Sequence, residues 1–226
     1  RGADPIVLPE MFTTAFSMNS AELAEPEEGP TYSWLREQAA RIDAVITGSV
    51  IIEAADGSHR NRLLWAQPNG EILHYDKRHL FRMAGEHKHY TAGEKQAVFK
   101  LNGWHVRPLI CYDLRFPVWS RDPHDTDLLL YTANWPAARR NAWNRLLPAR
   151  AIENLCYVAA VNRVGEDGNG YPYSGDSQVL DYLGDPLLEA GDAEGLFRTT
   201  LRAAHLAKFR SKFPAYHDGD AFELKL

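Results

Sequence analysis

Three residues that can take part in covalent hydrolysis each follow a short apolar run. Glu10 follows Ile6-Val7-Leu8-Pro9, Lys77 follows "ILHYD", and Cys111 follows "RPLI". Each run is predicted to be a buried strand, so each reactive group lies where a strand ends. If these strands are neighbours in one sheet, the carboxylate, ammonium and thiol meet at its carboxyl end, where open α/β sheets bind ligands.

These three side-chain types suit attack by a thiol on a carbonyl carbon. A thiol has an ordinary pKa near ~8.5 and needs a base to become a nucleophile at neutral pH. Glu10 could accept that proton, while Lys77 and the backbone N–H of Tyr112 could stabilise an oxyanion. Spacing alone leaves a second interpretation open, in which Cys111 packs as a small hydrophobe and the two charges lie on a solvated rim.

The elements that must position these residues are strands and helices in alternation, with several hairpins. Turn signals at Pro68-Asn69-Gly70, Asn102-Gly103 and Gly184-Asp185 predict hairpins, and "TYSWLREQAARI" has helical spacing. The segment "AWNRLLPARAIENL" predicts another helix, whereas "GEDGNGYPYSGDS" predicts a turn-rich loop. Because a purely parallel sheet would contain no hairpins, we predict a mixed-sheet α/β sandwich formed as one domain over residues 1–226.

Composition narrows the class of protein. The chain has 226 residues, of which 45% are hydrophobic and 24% are charged, and its net charge is −5. That charge and the lack of a Lys/Arg run argue against a nucleic-acid partner. Two cysteines do not form a disulfide framework, and no apolar run approaches the ~18 residues of a membrane helix. We therefore expect a cytoplasmic protein without a membrane partner.

Five motifs follow one another along the chain: "LPEMFTTAF", "YDKRHLF", "ICYDLRFP", "ANWP" and "RAIENLCYVAAVNRVG". Glu10, Lys77 and Cys111 lie in the first, second and third of them. The ordered set resembles the nitrilase (carbon–nitrogen hydrolase) superfamily, most closely its bacterial omega-amidase branch, which favours the catalytic interpretation of Cys111. The resemblance implies that Glu10 is the general base, Lys77 the catalytic lysine, Cys111 the nucleophile and Glu86 a supporting carboxylate.

The same resemblance implies a fold and a reaction. The fold is an αββα four-layer sandwich, assembled as a homodimer or a higher homo-oligomer, with no metal and no organic cofactor. The reaction is hydrolysis of the terminal amide of a small α-keto acid amide, such as α-ketoglutaramate, through a thioester. For the substrate carboxylate we predict Arg139, with an exposed surface arginine as an equal alternative. Phe116, Trp119 and Trp135 are candidate pocket walls, although core packing explains each of them as well.

The sequence departs from the family pattern at three places. Ala15 stands where the family usually has Gly, which matters only if that position needs a positive φ. Pro148 lies within a predicted helix, so we expect the helix to bend there or to restart at the proline. A strand begins within a few residues of Arg1, and we expect that a family strand and helix precede it.

Other features and activities stay as alternatives. His87 and His89 lack further ligands at metal-binding spacing and predict a polar loop rim, Cys156 predicts an inert core thiol, and Arg150 with Glu153 predicts a scaffold ion pair. Alternative activities are a deaminated glutathione amidase, an N-carbamoyl hydrolase and a nitrilase. A non-catalytic thiol sensor is the alternative from a different class.

Overall fold

Two mixed β-sheets form the centre of the computed structural model, which describes residues 5–121 and 126–225. The strands in chain order are β1 (Ile6–Val7), β2 (Glu25–Pro26), β3 (Ile46–Glu53), β4 (His59–Ala66), β5 (Ile72–Asp76), β6 (Phe99–Leu101), β7 (Trp104–Ile110), β8 (Leu128–Ala133), β9 (Tyr157–Asn162), β10 (Val164–Glu166), β11 (Pro172–Ser174), β12 (Gln178–Leu180) and β13 (Pro186–Glu189). The α-helices are α1 (Ser20–Leu23), α2 (Pro30–Ile42), α3 (Pro117–Ser120), α4 (Arg140–Asn154) and α5 (Ala203–Lys212). The 3₁₀ helices are Arg82–Ala84, Glu86–Lys88, Cys111–Arg115, Ala137–Arg139 and Ala215–Asp218.

Each sheet combines parallel and antiparallel pairs. The first has the order β1-β3-β4-β5, with β2 also paired to β3, and its β1–β3 pair is parallel. The second has the order β13-β12-β9-β8-β7-β6, and its central strands β7, β8 and β9 run parallel to one another. The hairpins that the sequence predicted join β4 to β5, β6 to β7, and β12 to β13.

Alternating side chains along the strands separate the layers. In β4, Leu63 and Trp65 belong to the core that includes the second sheet, whereas Leu64 and Ala66 pack with α2. Helix α4 covers the second sheet through a buried stripe that includes Trp143 and joins the same core. The resulting order of helix, sheet, sheet and helix is the αββα sandwich that the family resemblance implied, and it agrees with the mixed-sheet α/β sandwich predicted from the pattern of elements.

One local prediction needs correction. The segment expected to be a turn-rich loop contains the hairpin β10–β11, in which Val164 pairs with Ser174. Of the two outcomes expected at Pro148, a bend or a restart, the restart is excluded, because α4 continues through the proline to Asn154. None of the described helices is both long and apolar enough to cross a lipid bilayer.

Candidate active site

The structure brings Glu10, Lys77 and Cys111 together, but from strands that are not neighbours. Strands β1 and β5 lie at the two ends of the first sheet's order, and β7 belongs to the second sheet. Lys77 Nζ lies 2.8 Å from Glu10 Oε1, and the charges of both groups act on the Cys111 thiol. The expected convergence is present, whereas the expectation of neighbouring strands in one sheet is wrong. The three groups meet between the sheets.

Glu10 is held by both sheets. Its successor Met11 adopts the left-handed φ of 44°, and the Met11 N–H donates to Ser49 Oγ at 2.9 Å, which docks the turn on β3. From the second sheet, the backbone N–H of Asn134 donates to Glu10 Oε2 at 2.9 Å, and Asn134 Nδ2 donates to the Glu10 carbonyl at 2.7 Å. Glu10 is 1% exposed, so this carboxylate is fixed away from solvent.

Lys77 is positioned by backbone contacts on both sides. Its N–H donates to the Asn61 carbonyl, and the Gly93 N–H donates to the Lys77 carbonyl, each at 2.9 Å. A Cβ at Gly93 would lie 2.2 Å from the Asp76 carbonyl oxygen, so this approach requires glycine. Burial alone would lower the pKa of Lys77, but the charges of Glu10 and Glu86 outweigh it and raise that pKa above its ordinary value. Lys77 is therefore a buried, permanently charged ammonium.

Glu86 is a second buried partner of the ammonium. Both of its carboxylate oxygens lie 3.0 Å from Lys77 Nζ. Burial raises the pKa of Glu86, the Lys77 charge opposes that rise, and the Glu10 charge adds to it. Asn61 Nδ2 lies between the two carboxylates, 2.8 Å from Glu10 Oε1 and 3.2 Å from Glu86 Oε1. The cluster thus holds two acidic side chains around one cation and one neutral amide.

Cys111 lies at a sharp turn from β7 into a 3₁₀ helix. Its φ of 44° is left-handed, which is uncommon for a residue with a side chain. The buried Asp113 carboxylate stabilises the turn, accepting from the Ile110 N–H at 3.0 Å and from the Tyr75 hydroxyl at 2.7 Å. Arg150 Nη2 donates to the Leu114 carbonyl at 2.7 Å. These contacts tie the turn to β5 on one side and to α4 on the other.

The electrostatic environment keeps the Cys111 thiol protonated. Burial raises the pKa of Cys111 well above its ordinary value, and the charge of Glu10 adds to this effect, whereas Lys77 opposes it. Lys77 therefore does not produce a stable thiolate in this arrangement. The thiol has to lose its proton as it reacts, and the Glu10 carboxylate, whose charge acts on the thiol, is the candidate acceptor.

A pocket of about 550 Å³ opens above Cys111 and Lys77. Tyr112, Trp135 and Arg139, all predicted from the sequence to serve the site, are among its lining residues. The Arg139 guanidinium lies 5.1 Å from the centre of the Phe81 ring. Phe116 is not among the described lining residues. It stacks on His79 with ring centres 3.7 Å apart, beside a separate crevice that Trp119 also lines.

Residues 1–210 match a family model described as carbon–nitrogen hydrolase. The chain belongs to the carbon–nitrogen hydrolase family. It is 55% identical over 223 residues to omega-amidase YafV of Yersinia enterocolitica, covering 98% of this chain and 86% of that protein. It is 36% identical over 222 residues to 2-oxoglutaramate amidase of Bacillus subtilis (strain 168), covering 96% and 85%.

A solved structure supports the same conclusion for the fold. The crystal structure of XC1258 from Xanthomonas campestris, a CN-hydrolase superfamily protein with an arsenic adduct in the active site, matches this carbon–nitrogen hydrolase with a TM-score of 0.96. The two are 51% identical, and the match covers 98% of this chain and 86% of that one. The resemblance drawn from the ordered motifs is therefore confirmed at the level of family and fold.

Several residues of this carbon–nitrogen hydrolase site escaped the sequence analysis. Asn134 belongs to the "ANWP" motif, but no role was given to it there. Arg115 also lines the pocket, with its guanidinium 5.1 Å from the Trp135 ring centre. Asn61 lies inside a strand, where no local pattern separates it from an ordinary buried amide. The hairpin expected to be a plain loop contributes Asp167 and Tyr173, among other residues, to the pocket wall.

The remaining sequence candidates lie outside the pocket. Cys156 is fully buried in the core, where burial raises its pKa to about 12. Arg150 Nη1 lies 3.0 Å from Glu153 Oε1, so this pair forms the ion contact that the sequence suggested. Within residues 5–121 and 126–225, no group of three or more His, Cys, Asp or Glu side chains, His87 and His89 included, is arranged to hold a metal ion.

Proposed function

We propose that this carbon–nitrogen hydrolase is an omega-amidase that cleaves the terminal amide of small α-keto acid amides, such as 2-oxoglutaramate, to the α-keto acid and ammonia. One observation carries the proposal. A buried thiol, whose pKa is raised by burial and by the charge of Glu10, lines a pocket of about 550 Å³ together with the Lys77 ammonium, which contacts Glu10 at 2.8 Å. This arrangement suits acyl transfer, since a nucleophile, a base and an electrophilic donor are gathered at one site.

The reaction divides into two steps. Cys111 Sγ attacks the amide carbon while Glu10 takes the thiol proton, and Glu10 then delivers that proton to the leaving nitrogen, which departs as ammonia. Water next enters, gives a proton to Glu10 and attacks the thioester, and that proton returns to Cys111 Sγ as the acid leaves. In each step Lys77 and the Tyr112 N–H donate to the tetrahedral oxyanion, each donor of this kind contributing roughly 10²–10³ in rate.

The donor count of Lys77 is compatible with this role. An ammonium has three protons. One donates to Glu10 Oε1, and a second is shared between the two oxygens of Glu86, each 3.0 Å away. The third proton is left for the oxyanion. Because Glu86 takes up one face of the ammonium, it supports the direction in which Lys77 presents that proton.

The substrate class rests on the relatives and on the cations of the pocket. The two relatives described above are named omega-amidase and 2-oxoglutaramate amidase. Such a substrate carries a carboxylate, which an arginine binds as a two-pronged donor. We propose Arg139 as that partner, and Arg115 is a second guanidinium lining the same pocket. We also propose a homodimer or larger homo-oligomer, which rests on the family resemblance and is tested by light scattering.

The deciding experiment measures ammonia release from 2-oxoglutaramate, glutamine and a simple nitrile. We expect release from 2-oxoglutaramate, weak or no release from the other two, and its loss in Cys111→Ala. Cys156→Ala is the matched control, because it makes the same substitution at a cysteine in the core and should leave the rate of turnover unchanged. Turnover of the nitrile alone, or substantial amidase activity in Cys111→Ala, would contradict the proposal.

A further inference from the structure

Asn61 completes a closed ring of four polar atoms at the base of the site. Glu10 Oε1 accepts from Lys77 Nζ and from Asn61 Nδ2, both at 2.8 Å. Glu86 Oε1 accepts from the same two nitrogens, at 3.0 and 3.2 Å. Two carboxylate oxygens are therefore bridged twice, once by a cation and once by a neutral amide. Asn61 itself is 1% exposed, so water does not compete at its surface.

The ring decides which oxygen of Glu10 is available as a base. A carboxylate offers about four acceptor positions, two on each oxygen. Lys77 and Asn61 occupy both positions on Oε1, and the Asn134 N–H occupies one on Oε2 at 2.9 Å. The remaining position, on Oε2, is the one left for the proton of Cys111. Without the amide, Oε1 would regain an open position and the carboxylate would lose one of its three anchors.

The neutrality of the amide matters as much as its position. The groups that interact electrostatically with the Glu10 carboxylate include Lys77, Glu86, Cys111, Tyr90 and Tyr173. Lys77 is the one cation in this set. A second cation at position 61 would neutralise both carboxylates and weaken Glu10 as a proton acceptor. An apolar side chain would leave the two carboxylates close together with one donor instead of two. An amide N–H stabilises their ionised forms and adds no charge.

The side chain of Asn61 also lowers the stability of the folded protein in a way that packing does not explain. Its Oδ1 is buried and has no hydrogen-bond partner among the described residues. A buried acceptor without a partner lowers stability. A strand interior would be filled at less cost by an apolar residue of similar volume, such as Leu. Retention of the amide is understandable if the Nδ2 contacts are needed for the reaction.

We propose that Asn61 is a positioning residue, which saturates Glu10 Oε1 and so directs Oε2 to the Cys111 thiol. This inference rests on the proposed function for the role of Glu10 as the base. Asn61 does not touch the reacting atoms; it acts through Glu10 and Glu86. Its loss should therefore change the proton-transfer step and its pH dependence, and should leave substrate binding in the pocket much less affected.

The test compares Asn61→Leu with the wild type in three measurements. We expect kcat to fall about 10–100-fold, the loss of one hydrogen bond to a charged group, with KM changed less than threefold. We expect the acid limb of the kcat profile to move to higher pH, because the carboxylates lose a donor to their ionised form. Iodoacetamide should also alkylate Cys111 about tenfold more slowly in the variant than in the wild type. The rate is measured by peptide mass spectrometry, with buried Cys156 as the internal reference.

Two further variants separate this role from loss of folding. Asn154→Leu removes another fully buried amide, which donates to the Arg150 carbonyl in α4, and should lower the melting temperature without moving the acid limb. Asn61→Ser keeps a polar side chain too short to reach both carboxylates, and it should reproduce the shift if Asn61→Leu does not fold. Wild-type kcat, pH profile and alkylation rate in Asn61→Leu or Asn61→Ser would overturn the inference while leaving the proposed function intact. Loss of the alkylation rate in a protein that hydrolyses none of the amides would instead retain the inference and reject the proposed function.

Discussion

Replacing Lys77 by methionine should produce a protein whose stability depends strongly on pH. The substitution keeps the length of the side chain and removes the only cation in contact with Glu10 and Glu86 among the described residues. Lys77 and both carboxylates are at most 1% exposed, so solvent cannot replace the lost charge. Removing one partner of a buried ion pair typically costs about 3–5 kcal/mol. The variant therefore carries two carboxylates whose ionised forms are no longer compensated.

The sign of the pH dependence follows from Glu86. Burial raises the pKa of Glu86 in the folded protein above its ordinary value of 4.5. The folded state therefore binds the Glu86 proton more tightly than the unfolded state does. Stability is then highest at low pH and falls as pH rises through the folded pKa. The Lys77 charge lowers that pKa in the wild type. Without it the pKa rises further, and the fall in stability extends to higher pH.

The expected loss of stability in Lys77→Met can be expressed as a fall in melting temperature. For a chain of 226 residues, an unfolding entropy of about 2.1 cal/mol/K per residue makes 1 kcal/mol equivalent to roughly 2 °C. At pH 8 Lys77→Met should melt about 6–10 °C below the wild type. At pH 5 the deficit should be smaller, because a raised carboxyl pKa lets lower pH favour the uncharged form, by about 1.4 kcal/mol per pH unit above that pKa.

The assay is thermal unfolding by circular dichroism from pH 5 to pH 8, with Lys208→Met as the control. Lys208 is exposed on α5, so its loss removes the same formal charge with little effect on stability at either pH. An equal deficit for Lys77→Met at both pH values would refute the reasoning. It would show that the variant is destabilised by packing rather than by uncompensated carboxylates.

Three further substitutions test separate parts of the structure. Ala15 has a φ of 58°, so Ala15→Gly should relieve about 1–2 kcal/mol of left-handed strain. The greater entropy of the unfolded glycine chain opposes this gain by about 0.4–1 kcal/mol. Calorimetry should therefore show a small rise in Tm, and a clear drop would contradict the reasoning. Tyr75→Phe removes the hydroxyl that donates to Asp113 Oδ2 at 2.7 Å and should cost about 1.5–3 kcal/mol in urea unfolding, with a loss below 0.5 kcal/mol as the contrary result. Arg139→Ala should raise KM for 2-oxoglutaramate at least tenfold with a smaller change in kcat, and an unchanged KM, or an effect confined to Arg115→Ala, would remove Arg139 as the carboxylate partner.

The sequence predicted the fold well because its local signals were strong and independent. Asn102 and Gly103 adopt φ values of 49° and 82°, as a two-residue hairpin turn requires, and the turn forms as expected. The same residue types misled at "GEDGNGYPYSGDS", because three-residue strands leave too short an alternation to detect beside so many turn formers. Helix α4 tolerates Pro148 since its buried residues, Trp143 among them, pack it on the second sheet, a tertiary effect that no helix propensity contains.

The sequence identified the three reactive residues of the candidate site but not how they meet, and the reason is geometrical. Glu10, Lys77 and Cys111 could be selected because each ends an apolar run and belongs to a specific motif. Their actual meeting point lies between two sheets, and the order of strands in a sheet is a long-range property that one sequence does not express. Asn61 illustrates the limit. It is 51 positions away from Glu10 in the chain, and only the pairing of β4 with β3 and β5 places its amide between the two carboxylates.

Backbone strain at the nucleophile leads to a last prediction, in which the usual ranking of two substitutions is reversed. Cys111 has a φ of 44°, where a residue with a Cβ pays about 1–2 kcal/mol and glycine does not. Strain of this kind is found at functional sites and is offset by the surroundings, here the hydrogen bonds of Asp113.

Cys111→Gly should therefore unfold at a higher urea concentration than Cys111→Ala. Its free energy of unfolding should be larger by up to about 1 kcal/mol after the entropy of the unfolded glycine is subtracted. Both variants lack the thiol, so neither should turn over substrate, and the difference between them measures the turn alone. If Cys111→Ala were the more stable of the two, the turn would not be strained, and the contacts of Asp113 would have to serve some purpose other than holding Cys111 in this conformation.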